Sequence, residues 1–125
     1  MRQSLFGLPK ADVKITNGSL VISMTNVKDR FASLTTSLEI PLLKIHDVTT
    51  EPVKIDNWRT VKMFATQLPS YYAGRFYHIG RGRKFFLFSN KNSCITLRMK
   101  DFRYKEIIVE VAHKEQVAEM IRKAL

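Results

Sequence analysis

From Val13 to Val111 apolar residues recur at alternate positions in short runs broken by turn residues, and beyond His113 their spacing changes to three and four. Strand side chains alternate between two faces, whereas a helix repeats every ~3.6 residues. The pattern therefore predicts a succession of short strands closed by one helix. Val13 and Ile15, then Asn17-Gly18, then Leu20 and Ile22 open the chain. Asn-Gly supplies the positive φ angles of a tight turn, so this opening is read as a β-hairpin.

After a polar stretch through Asp29-Arg30, the run Leu34 to Ile40 leads into Pro41, and Leu43, Ile45 and Val48 continue with polar residues interleaved. Two more strands are expected here, with Pro41 at an edge or junction because it has no N–H for a ladder. Val53 to Pro69 fits no strand and reads as a long packed connection with one helical turn, anchored by Trp58, Val61, Met63, Phe64 and Leu68. A second hairpin follows: Phe76 and His78 face one way, Arg75, Tyr77 and Ile79 the other, and Gly80-Arg81-Gly82 turns the chain into Lys84 to Phe88. Ser89 to Ser93 is turn chemistry. Ile95, Leu97 and Met99 then alternate against Thr96, Arg98 and Lys100, and Ile107, Val109 and Val111 against Ile108 and Glu110. Val117, Met120, Ile121 and Ala124 mark one face of an amphipathic helix starting near His113. The total is about eight strands and a helix of roughly twelve residues.

At 125 residues and 45% hydrophobic, the chain has material for one core, and a single domain over residues 1–125 is expected. The single cysteine, Cys94, excludes an intrachain disulfide and favours a reducing cytosol. Three scattered histidines beside one thiol make no metal-ligand spacing. Met1 to Pro9 has no apolar stretch of signal-peptide length, and Phe85 to Phe88, among the longest apolar runs, is too short to span a bilayer. A membrane, if met, is met at its surface.

Ala73-Gly74-Arg75-Phe76, the Gly80-Arg81-Gly82 turn, Lys84-Phe85-Phe86-Leu87-Phe88, Cys94-Ile95-Thr96-Leu97 and Arg103-Tyr104 leading into Lys105 to Val111 follow one another through the second half. This arrangement resembles that of small bacterial pleckstrin-homology-like (PH-like) proteins. The resemblance implies a mainly β fold with one C-terminal α-helix: a PH-like split barrel of about seven to eight antiparallel strands capped by the helix. It also implies a module that recognises phosphoinositides, peptides or other proteins without catalysis. Fold alone does not settle a ligand.

The net charge of +10 makes an anionic partner the leading expectation. Between Tyr72 and Lys105 the cations concentrate against one acid, Asp101, and the candidate anion-binding residues are Arg75, Arg81, Arg83, Lys84, Lys91, Arg103 and Lys105. Arg81, Arg83 and Lys84 crowd a glycine-flanked turn where several cations can meet one phosphate-bearing group. Arg98 and Lys100 read as a solvated strand face, or as partners of Glu110 or Glu106, and Tyr104 as a cover for the core. The partner is expected to be a phospholipid headgroup layer or an acidic protein, with the chain cytoplasmic or peripheral to a membrane.

Two alternatives stand beside this. Tyr71, Tyr72, Phe76, Tyr77, Phe85, Phe86 and Phe88 interleave with the cations, as in proteins that stack nucleic-acid bases, although such alternation more often builds a core. Self-association through a free strand edge is the third reading. Catalysis is not expected. His46 and Asp47 are adjacent on a strand and so point to opposite faces, His78 has no carboxylate nearby in sequence, and Gly80-Arg81-Gly82 precedes a strand where a phosphate-binding fingerprint needs a helix. No cofactor or metal is implied.

Overall fold

The computed structural model describes residues 11–25, 29, 33, 37–56, 58–68 and 70–125. Among them the chain forms β1 (Ala11–Thr16), β2 (Ser19–Met24), β3 (Ser37–Pro41), β4 (Ile45–Thr49), β5 (Thr60–Leu68), β6 (Tyr71–His78), β7 (Gly82–Phe88), β8 (Cys94–Met99), β9 (Glu106–Glu110) and a C-terminal helix, α1 (Lys114–Ala124). The fold is mainly β.

The opening hairpin forms as its turn chemistry dictates: Asn17 at φ 50° and Gly18 at φ 80° close it, and β1 pairs with β2 from Ala11↔Met24 to Thr16↔Ser19. β3 completes a small sheet of order β1-β2-β3 and ends on Pro41. A 3-10 turn, Leu42–Lys44, then carries the chain into β4, docked by the Leu42 N–H on the Gly18 carbonyl at 3.0 Å. The first residues of the run expected from Leu34 lie outside the described residues.

The remaining strands form one large sheet of order β4-β8-β9-β7-β6-β5. Two expectations are corrected here. Among the described residues there are nine strands rather than seven or eight, and they are not all antiparallel, because β9 runs parallel to β7 from Lys84↔Glu106 to Leu87↔Val109. β7 and β8 are joined by a short turn yet leave a slot that β9 fills. Hydrophobic alternation reports faces, not neighbours, so it cannot show such an insertion. As a central strand β9 is buried on both faces, Ile107 and Val109 on one and Ile108 and Glu110 on the other. The two sheets stay separate and do not close into a barrel.

Of the connection expected from Val53 to Pro69, residues 53–56, 58 and 59 are strandless and the expectation fails from Thr60. Because β4 and β5 occupy opposite edges of the large sheet, the segment after β4 crosses its whole width, packing Val53 and Ile55 on the way. It then becomes β5, the longest strand. A bulge hides β5 from a period-two reading, since Lys62↔Phe76 and Ala65↔Gly74 leave two residues facing one. Gly74 makes the bulge feasible: at φ +124° it lies so close that a Cβ would sit 2.6 Å from the Phe64 carbonyl oxygen. The apolar anchors assigned to this stretch are not anchors, for Trp58, Val61, Met63, Phe64 and Leu68 are all exposed.

Each face of the large sheet has its own core. Between the large sheet and the small one, Leu20, Ile22 and Ile40 of the small sheet pack with Phe85, Leu97, Ile107 and Val109 in a core that α1 joins and Tyr104 closes at one end. On the opposite face Phe76, Phe86, Phe88, Cys94 and Ile108 pack beneath Val53. α1 starts where the period changed, after His113 in a left-handed conformation, but its inward face is Ala118 and Ile121 with Val117 half-buried. Met120 and Ala124 are exposed, a correction to the expected face, because polar ties rather than a wide apolar stripe seat the helix. Lys114 Nζ donates to the Thr50 carbonyl at 2.8 Å and Arg122 Nη2 to that of Val48 at 3.4 Å.

Candidate functional site

Register across the large sheet sets Asp47, Arg98, Glu106 and Lys84 side by side on β4, β8, β9 and β7. The signs alternate along this row. Lys84 Nζ lies 2.8 Å from Glu106 Oε1 and is buried, while Arg98 Nε lies 3.7 Å from Asp47 Oδ1 at a more exposed position. Lys84, one of the candidate anion ligands, is thus a buried ion-pair partner of Glu106. Its direction follows from strand alternation, which turns it away from Arg83. Arg98 is paired as expected of it, but with Asp47 rather than Glu106 or Glu110. A bulge between Ile45 and Asp47 shifts the β4 register, so His46 also borders the space beside Arg98, and strict alternation of His46 and Asp47 fails there.

The other candidates separate by position. Arg75 is half-buried and donates from Nη1 to the Ser33 carbonyl at 3.1 Å, so it serves the packing of the chain over β6. Lys91 lies in the turn after β7, at the opposite end of the sheet from Arg81. Arg103 stacks its guanidinium over Phe102 at 4.8 Å and Tyr104 at 5.3 Å. Tyr104 itself is buried against Phe85, the structural role expected of it.

Arg81 and Lys105 do come together, and Arg83 joins them through its backbone. The β6–β7 turn carries Arg81, β7 begins at Gly82, and the Lys105 N–H donates to the Arg83 carbonyl at 2.8 Å where β9 enters. The Lys105 stem lies over Gly82, where a Cβ would meet its Cγ at 3.0 Å. Arg81 and Lys105 line one depression of about 320 Å³ with His46, Lys84, Arg98, Met99 and Glu106, the low end of small-ligand sites. Among the described residues no carboxylate pairs with Arg81, Arg83 or Lys105. Lys100 adjoins them, its N–H on the Lys44 carbonyl at 2.8 Å, and exposed Asp101 is the acid of that loop.

Sequence reasoning missed the neighbouring turn. Asp56 Oδ1 accepts from the Trp58 N–H at 3.2 Å, the Asp56 carbonyl accepts from the Thr60 hydroxyl at 2.7 Å, and Asp56 Oδ2 stands 3.9 Å from Arg59 Nε and 4.0 Å from His78 Nε2. The Ile79 N–H donates to the Arg59 carbonyl at 2.7 Å. Trp58, Arg59 and Ile79 thus stand at the same end of the sheet as Arg81. The one legible signal was Asp56, a residue turns favour.

Two other groups depart from ordinary acid–base behaviour. Burial, then the charge of Glu110, pushes the Cys94 thiol up to about 12, and burial with a hydrogen bond to Asp29 Oδ1 at 2.6 Å raises the Tyr71 phenol. Both are packing groups. Among the described residues no cluster of three or more His, Cys, Asp or Glu could hold a metal, and no helix is long and apolar enough to cross a membrane. Compared with protein-family models, curated proteins and solved structures, the chain matches none.

Proposed function

We propose that the chain is a non-catalytic interaction module that binds an anionic partner at the end of the large sheet where Arg81, Arg83 and Lys105 converge. One observation carries this reading: Arg81 and Lys105 line one depression, with Arg83 adjoining Lys105 along the backbone, and none of the three has a carboxylate partner among the described residues, although the other strand cations of the basic segment, Arg75, Lys84 and Arg98, are paired or tied to backbone. Bringing like charges together costs Coulomb energy that a bound anion recovers. The resemblance to PH-like binding modules implies the same class of role, and a cytoplasmic site of action belongs to the same reading. Phe76, Phe85, Phe86 and Phe88 are buried and offer no stacking platform to nucleic-acid bases, which leaves Trp58 and Tyr77 as the exposed aromatics at this end.

The test compares the chain with its Arg81→Gln/Arg83→Gln/Lys105→Gln variant at low and high salt, against phosphatidylglycerol vesicles, polyglutamate and a short single-stranded DNA. Binding should fall about a hundredfold in the variant, at roughly one tenfold step or less per cation. Equal binding by both proteins removes this end of the sheet from consideration.

A further inference from the structure

Trp58 is the chain's only tryptophan and is 95% exposed, on a turn that Asp56 holds in place. Ile79, bonded through its N–H to the Arg59 carbonyl, is 52% exposed beside it. Val61 and Tyr77, register partners across β5 and β6, are 47% and 41% exposed and extend the strip inward. Apolar side chains left this open at one place mark a contact surface. What surrounds them indicates the kind of contact: Arg59, Arg81, Arg83 and Lys105 lie at the same end of the sheet, in a chain of net charge +10.

We propose that this end docks on an anionic lipid surface, Trp58 and Ile79 entering the headgroup region while the surrounding cations bind lipid phosphates. The proposal rests on the anion-binding reading above and names its partner. Charge complementarity selects the occupant. A second copy would set these cations against themselves, whereas an anionic bilayer neutralises them and attracts each across the Debye length. Shape agrees, since Trp58 protrudes rather than lining a groove, and a bilayer accepts a protruding side chain without a matching pocket. Tryptophan, with an apolar ring and one N–H, suits the interface between acyl chains and water.

The experiment follows Trp58 emission and vesicle co-sedimentation with equal parts phosphatidylcholine and phosphatidylglycerol, with phosphatidylcholine alone, and with polyglutamate. Emission should shift to shorter wavelength, and be quenched by brominated acyl chains, with the anionic vesicles only. Trp58→Ala, which loses no packing and should melt like the parent, should bind those vesicles about tenfold more weakly, as loss of an interfacial aromatic predicts. If anionic vesicles bind with no emission shift and Trp58→Ala binds equally well, insertion is wrong while anion recognition stands. Binding to polyglutamate but not to vesicles overturns the lipid partner and points to an acidic protein. Binding to no anion overturns both.

Discussion

Glu110 and Arg81 stand at opposite ends of the large sheet. Glu110 is buried, and its Oε1 accepts the Ser89 N–H at 2.8 Å, the Asn90 N–H at 3.1 Å and the Ser89 hydroxyl at 3.3 Å, so one carboxylate holds the turn that follows β7. Nearby the Thr50 hydroxyl meets Glu115 Oε1 at 3.1 Å, and the Cys94 thiol meets the Asn90 carbonyl at 3.3 Å. At Arg81's end cations gather, no carboxylate pairs with Arg81, Arg83 or Lys105 among the described residues, and Trp58 and Ile79 face solvent. Charge at the first end is spent on holding turns and the helix. At the second it is left for something outside the chain. Substitutions should therefore cost stability at one end and binding at the other.

The largest effect is expected from the strand that links the two ends. Val109→Asp places an unpaired carboxylate in the main core and should abolish cooperative melting, a loss of more than ~4 kcal/mol. A native melting curve would remove β9 from the sheet centre. Glu110→Ala should lower the free energy of unfolding in urea by about 2–3 kcal/mol, because the backbone donors of Ser89 and Asn90 lose their acceptor, yet leave anion binding intact. Lys84→Met should cost about 2 kcal/mol, less than a fully buried pair because Glu106 keeps some solvent, and Lys84→Met/Glu106→Leu should recover most of it. If Lys84→Met weakened anion binding as much as Arg81→Gln, the division between paired and unpaired cations would collapse.

Smaller effects sharpen the same contrast. Cys94 titrates near 9 when unfolded and about 12 when folded, so it stays protonated in the native state where the unfolded chain ionises. Its contribution is complete below about pH 9 and is lost as pH rises toward about 12. Melting across that window should fall more steeply for the parent than for Cys94→Ala, by about 1 kcal/mol near pH 10. The smallest stability change belongs to Arg81→Gln/Arg83→Gln/Lys105→Gln, within about 1 kcal/mol by calorimetry, since exposed charges contribute little to folding. A large drop in melting temperature would mean these cations hold the sheet together rather than face a partner.

Much of the fold was legible because it depends on local rules. Asn17-Gly18 specifies its turn through φ, Gly80 to Gly82 does so for β6 and β7, and the change of period near His113 marks α1. β5 was not legible, for its bulge resets the alternation and an edge strand has no buried face to impose one. The pairing of Lys84 was not legible for a related reason. Its sequence neighbours, Arg81 and Arg83, share its charge, but its ion-pair partner Glu106 belongs to a strand that enters the sheet after β8.

The amino-acid sequence alone determined a mainly β chain, its turns, its terminal helix and its excess of cations, all set by side-chain periodicity, backbone sterics and composition. Only the tertiary structure decided which cations are neutralised. An ion pair depends on strands adjacent in space, and the placement of β9 between β7 and β8, which no local pattern encodes, pairs Lys84 with Glu106. The same placement brings Lys105 to Arg83, and the crossing of the sheet before β5 sets Trp58 beside Ile79.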